Sequence, residues 1–344
     1  MMIPAASLEA VDAPRARSFR LPIMLAIALL LGCVLPFAIS NYQVFQMTLV
    51  IIHAIALLGL NLLTGYNGQV SLGHGAFSAI GAYTAAILMD RYGVPYWLTV
   101  PAAGAVCLGA GFLFGLPALR LEGTYLALAT FALGVSMPQI LKYKHVADWT
   151  GGVQGITLVK PDAPWGLPLA PDQWLYFFCL AVMLLLFASA WNFFRGQTGR
   201  AIVAIREQPV AASAVGIDVP LYKSLTFGVS AMYTGIAGAL GAIAVQFVSP
   251  DSFSVFLSIS LLVGIVVGGL ASISGAIYGA IFIQFVPTLV GDISKAAPGA
   301  IYGMVLIASV YLMPSGIAGG IKRIDQLWRE RARASSRQQR RNHA

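Results

Sequence analysis

Few side chains in this sequence could do acid–base, nucleophilic or metal chemistry, and their spacing argues against a catalytic centre. The four histidines, His53, His74, His145 and His343, include no pair four residues apart and no HExxH helix. Those are the arrangements that put two imidazoles on one helical face for a metal, so no metal site is expected. Cys33, Cys107 and Cys179 each lie inside an apolar run; they offer neither a CxxC site nor a disulfide framework and read as packing residues. Ser71 and His74, three apart on a glycine-rich turn, and Ser274-Gly275 come nearest to a nucleophile with a base. No second histidine follows in the late apolar segments, so polar packing is the stronger reading and an intramembrane serine protease the weaker. There is no GxxxxGK[ST] phosphate loop either.

The elements that must carry these residues are dictated by where the charges are. Of 344 residues, 58% are apolar and 10% charged, against ~25% charged in a soluble domain, which excludes an ordinary water-soluble globule. Charge-free runs at 21–89, 224–250, 252–291 and 296–321 each match or exceed the ~20 apolar residues of one helical span. The fold class is therefore all-α, a polytopic helical membrane protein with about ten transmembrane spans (9–11). They are placed at 21–39, 44–63, 72–89, 96–119, 123–141, 173–194, 224–247, 253–270, 275–291 and 299–317. With the N-terminus inside, 16 of the 21 Lys and Arg fall on inner segments, an asymmetry that puts both termini in the cytoplasm. The first span also resembles a signal peptide, but its 19 apolar residues exceed the ~7–15 of a signal core, and an uncleaved anchor is the favoured reading.

The net charge of +8 is local, because the last 23 residues alone contribute +6. Such a tail beside a last span reads as a topology determinant in contact with anionic lipid, not as a nucleic-acid surface. The domain layout is thus a cytoplasmic segment 1–20, a transmembrane domain 21–321, and a basic cytoplasmic tail 322–344 expected to be disordered. Within the membrane domain, 142–172 is an outer loop with prolines at 161, 164, 168 and 171, which fits turns better than a helix. The inner interruption 195–223 reads as a short helical elbow, with a helix-compatible stretch 201–207, a restart at Pro209 and a stop at Gly216. Glycine pairs at 111/115, 264/268, 275/279 and 299/303 let helix backbones approach closely. Segments 68–81 and 268–279 resemble each other weakly, which raises an internal repeat.

Ion-coupled carriers place acids, histidines or arginines inside their spans as relays. Here the span interiors offer only His53, Asn61, Gln246, Gln284 and hydroxyls, so any drive for transport is expected from outside the bilayer. An ion-coupled secondary transporter or channel acting without ATPases stays open, since sodium sites made of backbone carbonyls leave no mark on a sequence. An amphipathic elbow held between two spans can dock in the groove of a soluble partner; a plain solvated connector is the alternative.

Five stretches in order carry a family resemblance. They are Gly59-Leu-Asn61-Leu-Leu-Thr-Gly65-Tyr-Asn-Gly68-Gln69-Val-Ser71-Leu-Gly73-His74, Leu121-Glu122-Gly123-Thr-Tyr125, Thr150-Gly151-Gly152-x-x-Gly155, Gly199-Arg200-Ala-x-x-Ala-Ile205-Arg206-Glu207 with Ala211-Ala212-x-x-x-Gly216-Ile217, and Gly268-Gly269-x-x-Ser272-x-x-Gly275. In this order and spacing, from about residue 44 to about 320, the chain resembles a branched-chain amino acid ABC transporter permease of the LivH/LivM family, LivM-type rather than the shorter LivH-type.

The resemblance implies an ABC importer in the bacterial inner (cytoplasmic) membrane. This chain would form half of the translocation pore for branched-chain amino acids or a related small polar solute such as urea, an amide or an aromatic acid. It implies a LivH-type second permease, two cytoplasmic ABC ATPase subunits and a periplasmic solute-binding protein as partners. No cofactor is expected on this chain and no catalysis, with ATP and Mg held by the partner subunits. Arg200, Ile205, Arg206, Glu207, Ala211, Ala212, Gly216 and Ile217 would form the ATPase-coupling region. Ala211, Ala212 and Gly216 match the general Glu-Ala-Ala, three residues, Gly motif, whereas Val210 stands where the acid would be. Thr150, Gly151, Gly152 and Gly155 would contact the binding protein or close the outer gate. For the substrate path, small neutral polar groups beside unwound helix ends suit a zwitterion, which selects Asn61, Gln69, Ser71 and His74 around the turn at 64–75. A satisfied packing network at a helix break is the competing reading of these four.

Overall fold

The computed structural model describes residues 30, 32–118, 123–164 and 168–293, then 316–321 and single positions between 303 and 323. Five of its helices are long and apolar enough to cross a bilayer: Asn41–Tyr66, Tyr96–Pro117, Thr124–Leu141, Pro171–Arg195 and Val219–Val245. In chain order the elements are α1 (Asn41–Asn61, continued by a π-helical turn, Leu62–Tyr66), α2 (His74–Tyr92), α3 (Tyr96–Ala118), α4 (Thr124–Leu141), α5 (Lys144–Thr150), α6 (Pro171–Arg195), α7 (Gln197–Glu207), α8 (Pro209–Ala214), α9 (Val219–Val245), α10 (Val255–Gly268) and α11 (Ile273–Ile293). The chain is an all-α membrane protein. Eight of the expected spans coincide with these helices, while the expected spans at 21–39 and 299–317 and both terminal segments lie largely or wholly outside the described residues.

Every long helix is apolar nearly all round, so burial sorts core from periphery. The most apolar stretches of α1 and α9 are each 78% buried, against 17% for α6. α9 runs along α3, α2 and α1, and Ile55, Leu57 and Leu58 of α1 meet Tyr233, Leu240 and Ile243 of α9, Cys179 of α6 and Ile265 of α10 in one cluster. On α3, α4 and α6, side chains such as Leu113, Leu128 and Leu185 stand exposed, where a protein in water would bury them and one in lipid need not.

Helix contact is made through missing side chains. A Cβ on Gly81 of α2 would sit 2.0 Å from the Gly235 carbonyl oxygen of α9. The glycine pairs 264/268 and 275/279 face one another, with 2.0 Å from a Gly268 Cβ to the Gly275 oxygen and 2.2 Å from a Gly279 Cβ to the Gly264 oxygen. They bring α10 and α11 together around the break at 269–272; position 299 of the last glycine pair lies outside the described residues.

The outer-loop expectation needs correcting in part. Residues 144–150 wind into α5, followed by a 3-10 turn at Gly152–Gln154. The prolines that argued for turns all lie at 161 or later, which leaves the first third of the segment free to form a helix until Gly151, at φ +71°, stops it. Ile156–Thr157 (β1) then pairs antiparallel with Phe247–Val248 (β2), a two-stranded ladder in the register Ile156 to Val248.

Candidate functional site

At one end of the bundle three segments distant in sequence converge on the end of α1. Its last residue, Asn61, is fully buried. Asn61 Nδ2 donates to the Ser272 carbonyl at 2.8 Å, and its Oδ1 accepts the Ala271 N–H at 2.9 Å. This single amide ties α1 to the α10–α11 break, where Gly269 has φ +121° and Ala271 takes the left-handed φ of +54°. The chain then continues through the π-helical turn, a form that occurs mostly as single turns and often at functional positions.

Ser71 and His74 are also fully buried, and their bonds form one directed chain. Ser230 Oγ donates its only proton to the Gly59 carbonyl at 2.6 Å. It must therefore accept from His74 Nε2, 2.7 Å away. His74 Nδ1 is then an acceptor for the Ser71 hydroxyl at 3.1 Å, which in turn accepts the Gly73 N–H. Both imidazole nitrogens are thus engaged by groups that join α2, α9 and α1. Ser230 was not singled out in the sequence, although Thr226, Ser230 and Thr234 recur every four residues along α9, a pattern that marks one helical face.

Gln69 differs from the other three candidate-path residues. Its backbone N–H donates to the Leu63 carbonyl and its carbonyl accepts from Thr64 Oγ1, while its Oε1 is buried with no partner among the described residues. It lines a cavity of about 240 Å³, together with Asn67, Leu126, Ile205, Arg206 and Lys223. The structure thereby brings Gln69 of the candidate path beside Ile205 and Arg206 of the candidate coupling region.

The elbow docks on this end through α7. Gly199, Ala201, Ile202 and Ile205 form its buried face, and a Cβ on Gly199 would collide with the Phe194 backbone at 2.4 Å. Arg206 Nη1 donates to the Gly65 carbonyl at 2.6 Å, and the rings of Tyr66 and Phe194 stack with centroids 3.7 Å apart. Arg200, Glu207 and Ala211 are exposed, Ala212 is buried and Ile217 half-buried. Gly216 has φ +85°, and the Ile217 N–H reaches back to the Ala212 carbonyl at 3.1 Å, which closes α8 with a left-handed cap. Replacing Arg206 by Ala removes a charge-assisted hydrogen bond of about 1.5 kcal/mol, which corresponds to roughly a tenfold rise in local opening. Limited trypsin cleavage at Arg200 is expected to accelerate accordingly, with Arg206→Lys in between; wild-type cleavage rates in both variants would show the contact to be idle.

At the other end, Thr150 Oγ1 donates to the Leu141 carbonyl at 2.7 Å and accepts the Gly152 N–H. Gly151, Gly152 and Gly155 all have positive φ, and a Cβ on Gly155 would lie 2.3 Å from the Val248 oxygen. Ion pairs of Lys142 with Asp251 and of Lys160 with Asp172 flank this loop. The four candidate-gate residues therefore form one compact turn braced on the chain after α9. A second cavity of about 240 Å³ opens nearby between α1, α9 and α10, lined by apolar groups such as Leu49, Ile52, Phe253 and Leu261 with His53 and Ser78.

Membrane-length helices around a buried polar seam, with an amphipathic elbow on one end, make this a multi-pass helical membrane protein. Residues 42–312 match the family described as branched-chain amino acid transport system / permease component, and the chain belongs to that family. It is similar to the high-affinity branched-chain amino acid transport system permease protein LivM of Escherichia coli (strain K12), 33% identical over 86% of this chain and 74% of the relative. Similarity extends to a branched-chain amino acid transport permease protein of the LivH type from Methanocaldococcus jannaschii, 25% identical over 76% of this chain and 87% of the relative. It reaches the fructose import permease protein FrcC of Rhizobium meliloti, 25% identical over 70% and 69% of the two chains. No solved structure matches the chain.

Proposed function

We propose that this chain is the LivM-type permease of an ABC importer in the bacterial inner membrane, forming half of a translocation pore for branched-chain amino acids or a related small polar solute. The other half is a LivH-type permease, solute is delivered by a periplasmic binding protein, and two cytoplasmic ATPases holding ATP and Mg drive the cycle. Ten spans and cytoplasmic termini complete this reading.

The observation that carries it is the two-faced elbow. One face of α7 is buried against the end of α1 and fixed by Arg206, whereas around α8 Val210 is 83% and Val215 76% exposed. A short helical unit rooted in the membrane domain, with apolar groups open at its tip, suits a soluble subunit that docks there and transmits its motion. Arg200, Glu207, Ala211, Ala212, Gly216 and Ile217 belong to this unit. The turn at Thr150–Gly155, on the opposite end, would meet the binding protein or close the outer gate. Gln69, with Asn61, Ser71 and His74 behind it, is the candidate path group nearest to open space.

Reconstitution of the chain with its permease partner in proteoliposomes, with and without the ATPases, tests the reading. Uptake is expected only with the ATPases and ATP. Accumulation without them, driven by an ion gradient, would replace the importer by a secondary carrier.

A further inference from the structure

The cavity between the elbow and the turn after α1 has the chemistry of a ligand site of its own. Asn67 is 4% exposed, and neither its Nδ2 nor its Oδ1 has a partner among the described residues; the Gln69 Oε1 is in the same condition. Buried amides are rarely left so, and both residues belong to the cavity lining. Arg206, which spends one N–H on Gly65, and Lys223 contribute two positive charges, and no acidic side chain among the described residues lines the cavity. The remaining wall is apolar, from Leu126, Ile205 and Pro209.

Charge, acceptors and an apolar wall select one chemical class. The cations call for a carboxylate and the amide oxygens for a donor such as an ammonium, while the apolar wall calls for an aliphatic side chain. Volume agrees: an apolar cavity of ~150 Å³ holds benzene, so about 240 Å³ accommodates roughly ten non-hydrogen atoms at the same density. That is about the size of leucine, whereas phosphate would leave about half of it empty and urea more than half.

We infer that this cavity binds a free aliphatic α-amino acid, its carboxylate on Arg206 and Lys223, its ammonium on the Asn67 and Gln69 oxygens, and its side chain on Leu126, Ile205 and Pro209. One wall is elbow and the other is the end of the membrane helices, so an occupant bridges the two and holds the elbow still. Resting on the importer reading, the site is a brake: solute accumulated on the ATPase side binds beneath the elbow and slows the cycle.

The test uses the complete transporter in proteoliposomes, ATPases facing the bath and the solute-loaded binding protein inside, with ATP hydrolysis followed as leucine is added to the bath. Hydrolysis is expected to fall with leucine. Asn67→Leu and Lys223→Met are each expected to raise the half-inhibitory concentration at least tenfold, leaving the rate without bath leucine unchanged. The keto acid 4-methyl-2-oxopentanoate, which lacks the ammonium, is expected to be at least tenfold weaker than leucine. The site is overturned by hydrolysis indifferent to leucine, by an unchanged midpoint in both variants, or by a keto acid as potent as leucine. Should Asn67→Leu fail to accumulate, Lys223→Met decides alone. Hydrolysis that ignores the loaded binding protein overturns the importer reading, a result distinct from hydrolysis that responds to that protein and ignores bath leucine.

Discussion

Asn61→Leu is expected to lower the thermal midpoint of the purified chain sharply and to abolish transport by the assembled complex. Leucine fills a similar volume, so the change isolates the polar function. It strips the Ala271 N–H and the Ser272 carbonyl of their partner, each at about 1–3 kcal/mol when buried, for a total of about 2–6 kcal/mol. The loss falls where the backbone is already strained, since Ala271 has φ +54°, a conformation that costs of order 1–3 kcal/mol and persists only where its surroundings hold it. The α10–α11 break, held to α1 by that amide, should loosen as one unit. A variant with wild-type midpoint and uptake would show that the glycine contacts between α10 and α11 suffice and that Asn61 is dispensable to them.

Gly81→Ala should also be costly, for a single added methyl. The new carbon would lie 2.0 Å from the Gly235 oxygen and 2.5 Å from its Cα, both backbone atoms that cannot swing aside. One turn further along, a Cβ on Gly238 would lie 2.1 Å from the Ser78 oxygen, so the two backbones stay close over more than one turn. Overpacking a tight core typically costs about 1–3 kcal/mol, and with two backbones in opposition the effect belongs at or above the top of that range. The expected readout is loss of folded chain from the membrane fraction and a lower midpoint in detergent. Gly109→Ala is the control, because nothing lies within 4 Å of its missing Cβ; equal behaviour of the two variants would refute the close approach of α2 and α9.

The helices were legible because a bilayer demands length: charge-free runs marked out α1, α2 and the α9–α11 region without knowledge of any contact. The glycine spacing at 264/268 and 275/279 was legible too, but not that these pairs face each other. The elbow could be placed from Pro209 and Gly216, since caps and stops are local chemistry. Its anchor could not, because Arg206 meets Gly65 across 141 positions of chain. Asn61 shows the same limit more sharply: its type and place beside a glycine-rich turn flagged it, while its partner lies 210 positions away, and one amide reads alike as a solute ligand or a backbone tie. α5 was hidden by averaging, since prolines late in the segment coloured the reading of its beginning.

The π-helical turn at Leu62–Tyr66 has a mechanical meaning. Closing its bonds five residues apart instead of four, it carries one residue more than an α-helical turn, like a slipped stitch in a knitted row. Just before it Asn61 holds the α10–α11 break, and its own last two residues, Gly65 and Tyr66, hold the elbow. Absorbing the extra residue would rotate everything beyond by about 100°, a discrete click. The elbow and the helix break are thus fastened to the two ends of one π-helical turn.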